Sequence, residues 1–318
     1  MKFESGLYLA GTHASRVQAR RPGTHASRVQ ARRPGTHASR VQARRRRAYP
    51  SLCLAAIITL IAGASLLAPG QAVQHSPLPF ARGEELVYQA EFSRALLRGV
   101  DVAEFRFNST SEHIARGTDD PIILHLTGDV VSKGLFPRIA GFKFHQHIES
   151  TADAEPFTTL RTTRSEEQGK RVRQIEGVFD HQTRKATWIE RQPNQRTTSI
   201  DFTEPIQDVL TAIYFLRTQQ LDVGKSFEVL LSDSGRVYRV PVNVVERKTM
   251  DTAVGRVKAI RIEPALFGDD ALLHARGQLS IWLTEDERHL PVRAQLKMEI
   301  GTFDIKLKRV TYSDATAK

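Results

Sequence analysis

The sequence predicts an all-β protein: a strongly curved antiparallel sheet, half-barrel-like or a sandwich, with one amphipathic helix at about 206–217 packed on it. Three observations carry this expectation. After residue 80 apolar and polar side chains alternate with a period of two nearly throughout, the pattern of half-buried strands. The connections between the alternating runs are short, which favours antiparallel meanders over parallel crossovers. A single stretch in the middle of the chain changes to a helical period.

Glu85–Phe92, Val100–Asn108, Ile122–Thr127 and Gly141–Glu149 open the series of strands. Thr158–Arg164, Val172–Phe179, Lys185–Glu190 and Thr197–Phe202 continue it. Beyond the helix, Ser232-Asp-Ser-Gly235 turns the chain between Phe227–Leu231 and Val237–Val245. Pro241 cannot donate to a ladder, so its strand is expected at an edge or with a bulge. Leu279, Ile281 and Leu283 alternate before the turn Glu285–Arg288. The clearest run is Val292–Ile300: Val292, Ala294, Leu296, Met298 and Ile300 face one way, Arg293, Gln295, Lys297 and Glu299 the other. Gly301-Thr302 breaks it, and Phe303–Leu307 resumes the alternation as a hairpin partner. Strands 80–202, the helix and strands 226–312 thus read as one β-rich domain over 73–318.

The helical stretch runs from Thr203 to Arg217, with a capping residue, a proline in the first turn and acids near its start. Ile206, Val209, Leu210, Ile213 and Leu216 make its apolar stripe. Beside a large antiparallel sheet such a helix covers the core that the sheet leaves open. Lining or gating an apolar cavity is its sharper role.

The formal net charge of +11 suggests a nucleic-acid partner until it is located. Residues 1–72 hold Lys2 and eleven arginines against Glu4; from totals of 46 and 35, this leaves 34 basic and 34 acidic residues for 73–318. Three copies of a twelve-residue unit starting at Gly11 supply most of that charge and end in four consecutive arginines. The uncharged apolar run Leu52–Leu67 follows, and then Ala68-Pro-Gly-Gln-Ala72. Positive region, apolar region and small-residue site form a secretory signal peptide, with cleavage expected between Ala72 and Val73. The competing reading is an uncleaved inner-membrane anchor at 52–68, near the short limit for a bilayer core of roughly 30 Å. Either way the body is exported, to the periplasm, and the arginines stay on the cytoplasmic side. No nucleic-acid partner is therefore expected, and membrane contact only through the signal segment. Val41 opens a leader of ordinary length, so translation starting near it is a further expectation.

Catalytic patterns are sparse. The chain contains no G-x-S-x-G, no S-x-x-K and no P-loop, and its one cysteine, Cys53, lies in the leader. His145, His147 and Glu149 share a strand face and form a weak candidate zinc site. The competing reading is a solvated polar face, since Phe142, Phe144 and Ile148 occupy the other side. Asp269-Asp270 and Glu285-Asp286-Glu287 fall in turns, where acids serve backbone geometry. Trp282 lies opposite to Leu279, Ile281 and Leu283; with Tyr214 and Phe215 it is a candidate ligand or partner contact. Its alternative place is beneath a second layer of structure.

Phe80–Tyr88, Asp208–Arg217 followed by Leu221–Phe227, Ala253–Pro264 and Ile281–Arg293 resemble, in this order, the bacterial exported family of domain of unknown function 3108. The resemblance implies a β-rich envelope protein and carries over no catalytic residue and no cofactor. Ile281–Arg293 is also similar to one strand–turn–strand of the half-barrel lipoprotein carriers of the periplasm, a likeness of fold alone. The expected function is non-enzymatic binding of a lipid, another envelope component or a partner protein. An envelope hydrolase using carboxylates or His145/His147 is the alternative, and a purely structural envelope factor is another.

Overall fold

The alternating runs fold as fourteen strands of one antiparallel sheet, in a computed structural model that describes residues 83–113, 122–134, 143–192 and 195–312 with Leu78, Phe80, Pro137 and Gly141. The leader, with its Ala72–Val73 junction and the 52–68 segment, lies outside the described residues. The N-terminal strands are β1 (Glu84–Arg94), β2 (Leu97–His113), β3 (Ile122–Ser132), β4 (Phe144–Asp153), β5 (Thr158–Gln168), β6 (Arg171–Asp180), β7 (Lys185–Gln192) and β8 (Arg196–Asp201). Helix α1 (Val209–Phe215) and a 3-10 turn, Leu216–Thr218, follow. The C-terminal strands are β9 (Ser226–Asp233), β10 (Arg236–Thr252), β11 (Gly255–Pro264), β12 (Gly277–Thr284), β13 (Pro291–Met298) and β14 (Gly301–Tyr312).

Neighbours in sequence are neighbours in the sheet with one exception. β1 pairs with β14, so the order runs β8 to β1, then β14 to β9. The two strands that flank the helix, β8 and β9, are therefore the two edges. The sheet does not close through a ladder between them. Instead β9 tucks against the inner side of β6 and β7: Leu230 packs with Ile175, Phe179 and Trp188, and the Trp188 indole donates to Ser232 Oγ at 2.9 Å. The free edge of β9 is occupied by Ile206-Gln207, whose backbone bonds to Thr159 on one side and to Leu230 and Ser232 on the other. That contact covers an edge which would otherwise template aggregation.

The helix is shorter than its apolar stripe predicts, and the reason is tertiary. Ile206 and Gln207 are extended because their backbone groups are engaged by β5 and β9. Asp208, not Thr203, is the N-cap: its carboxylate accepts from Leu210 N and Thr211 N, while Thr211 Oγ1 accepts from Asp208 N. The helix is also buried on more than one face, with Leu210, Thr211, Ala212 and Tyr214 all inside. Leu210 and Tyr214 pack on Leu124, Leu126 and Ala152 of β3 and β4. Ala212 and Leu216 pack on Val229, Val242 and Ile262 of the C-terminal strands. The sheet is wrapped around the helix.

Of the two readings of the Pro241 strand the bulge holds and the edge does not, and β11 is a strand that the alternation does not mark. β10 is not an edge, because it pairs with both β9 and β11. Pro241 is tolerated there because its carbonyl accepts from Ala265 N just past the last β10–β11 pair, Val242–Pro264, so its missing donor falls where the ladder has ended. The expected bulge is present between Val244 and Glu246. β11 lacks clean alternation because Ala259 and Ile260 are both buried, 0% and 3% exposed, on opposite faces.

At the exit of the helix, Arg217 and Glu84 are both out of solvent, 1% and 0% exposed, and make a two-pronged ion pair. The guanidinium also lies over the Phe80 ring at 4.9 Å and donates from Nε to Arg288 O at 3.2 Å. His289 Nδ1 meets Arg217 O at 2.9 Å. Glu84→Gln leaves a buried cation unpaired and is expected to cost about 3–5 kcal/mol in urea unfolding. Arg239→Ala, which removes exposed pairs with Glu204 and Glu228, is expected to leave the same unfolding transition essentially where it is.

Candidate functional site

Inward-facing side chains change from closed to open along the strands. Nearest the helix, Tyr88, Leu307, Val292 and Leu283 are 5% exposed or less. One step along, Ala90 pairs with Ile305, Ile305 with Ala294, and Ala294 with Ile281; all but Ala90 are only half-buried. A further step gives the row Phe92, Phe303, Leu296 and Leu279, in lateral register across β1, β14, β13 and β12 and half-buried throughout. Phe105 and Val130, paired across β2 and β3, extend the same surface, as does Met298. The result is an apolar trough, plugged at one end by α1 and open at the other.

Local sequence explains its shape. The side-chain period of two places every apolar residue of Val292–Met298 on this face and every polar one on the other. The other face is an ion ladder: Arg293 holds Asp304 in two bonds of 2.6 and 2.9 Å, and Lys306 reaches Glu91 at 2.7 Å. Gly301 seats the Phe92 ring, whose Cε2 would lie 2.5 Å from any added Cβ. Phe92 in turn meets Phe303 with ring centroids 5.0 Å apart. Aromatic rings held in this way form a fixed apolar lining.

Neither of two hollows elsewhere is an apolar chamber. One, of about 380 Å³, is an open depression bounded by Val257, Lys258, Thr284, Glu285 and Asp286. Asp286 is used there in turn geometry, accepting from Thr284 Oγ1, Arg288 N and the Arg288 side chain. The other, about 10 Å³ between Arg164, Trp188, Asp208 and Asp233, has room for no more than a water molecule. Arg164 Nε and Asp208 Oδ2, two buried atoms without a hydrogen-bond partner, belong to the residues that line it.

The structure places the other candidates as follows. His145, His147 and Glu149 share the outward face of β4, joined by Asp129 of β3. His147 uses both ring nitrogens on carboxylates, Nδ1 on Asp129 at 2.8 Å and Nε2 on Glu149 at 3.1 Å. Partial burial works to lower its pKa and is outweighed by those two carboxylates, so the imidazole sits above its usual value. The arrangement is an exposed ion-pair cluster in which a metal would have to displace a carboxylate. Tyr214 is 1% exposed and packs edge-on against Phe80, so it is a core residue. Phe215 is half-buried against Phe157. Trp282 is 8% exposed, on the face opposite to Leu283, in one buried cluster with Ala259, Leu290 and Val292, and the Arg293 guanidinium lies 5.0 Å above its ring. Neither Tyr214 nor Trp282 offers an open ring face. The residues that do, Phe92, Phe105 and Phe303, were legible only as strand positions.

Asp208 is a buried carboxylate whose titration falls near neutrality: burial raises it to about 6, against hydrogen-bond donors, the cap N–H groups among them, that lower it. Unfolded, the same group titrates near 3.8. The folded chain therefore holds this proton more tightly, and the associated stability is present below about pH 4 and lost as pH rises through about 6. A shift of this size corresponds to about 3 kcal/mol. Asp208→Asn keeps a cap acceptor and is expected to remove this part of the pH dependence, measured as unfolding free energy at about pH 4 and about pH 7.

Comparison with known proteins gives a family and no activity. A family profile described as "Protein of unknown function (DUF3108)" matches residues 87–308. No match is found among curated proteins. A solved structure, the "Beta-barrel-like Protein of Domain of Unknown Function DUF1849 from Brucella abortus", is similar at 11% identity and a TM-score of 0.47, over 73% of this chain and 98% of that one.

Proposed function

For this chain, which belongs to the DUF3108 family of proteins of unknown function, we propose a non-enzymatic role as an exported binder of an apolar, envelope-derived ligand, held in the trough. The observation that carries this reading is the burial gradient. An inward face of Phe92, Phe303, Leu296 and Leu279 left half-open in a sheet whose other end is fully packed is surface that an acyl chain would cover. Ligand sites are concave, mostly apolar and largely pre-formed. The second support is the leader. Its arginines, apolar run and small residues are those of a signal peptide, and they leave an electrically balanced body in the periplasm, where such ligands occur. Sequencing of the protein purified from the envelope fraction is expected to begin at Val73; a chain that still begins at Met1 overturns export by cleavage.

Leu296→Glu puts a charge in the middle of the trough, at a half-open position from which the carboxylate reaches water. It is expected to leave the unfolding transition within about 1 kcal/mol and to weaken binding of an apolar fluorescent dye at least about tenfold. Native mass spectrometry after gentle purification reads the same question directly: co-purified lipid in the wild type and none in the variant. A wild-type protein that is always empty and takes up no dye overturns the reading.

A further inference from the structure

The open end of the trough carries a feature that the trough itself does not require. β1 and β2 are joined by a two-residue turn, Ala95-Leu96. Leu96 is 99% exposed and Leu97 45%, so the first touches essentially nothing of its own protein. Arg94 and Arg98, both exposed, flank the pair on either side. On the adjoining β13–β14 turn, next to Arg94 through the Ser93–Thr302 pairing, Ile300 is 40% exposed. Three aliphatic side chains on two adjacent tips are not singly scattered surface residues.

The turn chemistry points the same way. Ala95 has φ 49°, a left-handed conformation that favours glycine, asparagine or aspartate in a two-residue hairpin turn. Neither Ala95 nor Leu96 serves that geometry. The hairpin is held instead from behind, by Gly99 N donating to Ser93 Oγ at 3.0 Å and by the Phe92–Phe303 stack. A tip that presents leucine at its apex gives up turn preference for apolar display.

We propose that the Arg94–Arg98 tip inserts into an anionic lipid surface, with Leu96 and Leu97 entering the acyl boundary and Arg94 and Arg98 on the headgroup phosphates. Aliphatic anchors bracketed by cations are the composition of an interfacial membrane contact. A protein partner is the poorer fit, because binding hot spots there under-represent leucine and the tip carries neither tryptophan nor tyrosine. This membrane contact is additional to the one made by the signal segment, and it requires no ligand in the trough.

The test is flotation of the purified protein with vesicles of phosphatidylcholine alone and of phosphatidylcholine mixed with phosphatidylglycerol. Wild type is expected to float with the mixed vesicles and to lose binding as salt rises. Leu96→Asp with Leu97→Asp is expected to lower that affinity about tenfold or more, with an unchanged unfolding midpoint showing that the fold is retained. Arg94→Gln with Arg98→Gln leaves the leucines in place and is expected to remove the preference for anionic vesicles and its salt dependence. Equal flotation of wild type and the folded leucine variant, including flotation carried by the leader, overturns the proposal. So does wild type that floats with neither vesicle. Because Leu296→Glu should float normally, failure of the trough reading and failure of this one are separate results.

Discussion

A guanidinium withdrawn from water constrains the whole curl of the sheet. Arg217 at the helix exit is met by Glu84 at the start of β1, by Phe80 ahead of it, and by the backbone of Arg288 in the β12–β13 turn. Desolvating two such charges costs several kcal/mol each, and only close, fully bonded geometry offsets it. Three segments far apart in sequence must therefore converge at one point for the charge to be tolerated. β1 lies at the centre of the sheet order and the helix lies between its two edges. Joining the helix end to β1 draws the edges round the helix and makes a flat sheet untenable.

From that anchor the interior develops unevenly. The seven residues of α1 fill the curl over part of its length only. Strands β1, β12, β13 and β14 continue beyond it, and their inward rows pass from closed to half-open within two pairs of residues. An apolar surface that its own chain does not cover retains an unfavourable exposure to water, roughly 25 cal/mol per Å². In the function proposed here, that exposure is the driving force for taking up an acyl chain. On the outer side of these strands the ion ladder of Arg293, Asp304, Lys306 and Glu91 fixes which face is which, and a slip of one residue would bring those charges inside.

The helix start shows how tertiary contacts overrule local preference. Thr203, Pro205 and the stripe beginning at Ile206 satisfy the rules for a helix N-terminus. Yet Ile206 and Gln207 are extended, because in that state their backbone groups join β5 to β9 and cover the β9 edge. The helix then begins at the next residue with a good capping side chain, Asp208, which is held among Thr159 and Thr211. A carboxylate taken into the interior for that purpose is why a titration near neutrality sits in the core.

Sequence by itself determined the strand segments other than β11, their antiparallel meander, the presence of one helix and, for the alternating strands, the division into an apolar and a polar face. These follow from side-chain period, turn residues and short connections, all of which act over neighbouring positions. It also pointed to His145, His147 and Glu149 as one face, and to acids in the turns, where geometry puts them. The structure alone decided which face of Trp282 was covered, that Tyr214 is core, and that Phe92, Phe303, Leu296 and Leu279 form one row. The reason is physical: lateral register joins residues from 92 to 303, and the curl brings together positions as far apart as 84 and 217. Alternation states that a side chain points inward; only the packed chain states whether anything is there to meet it.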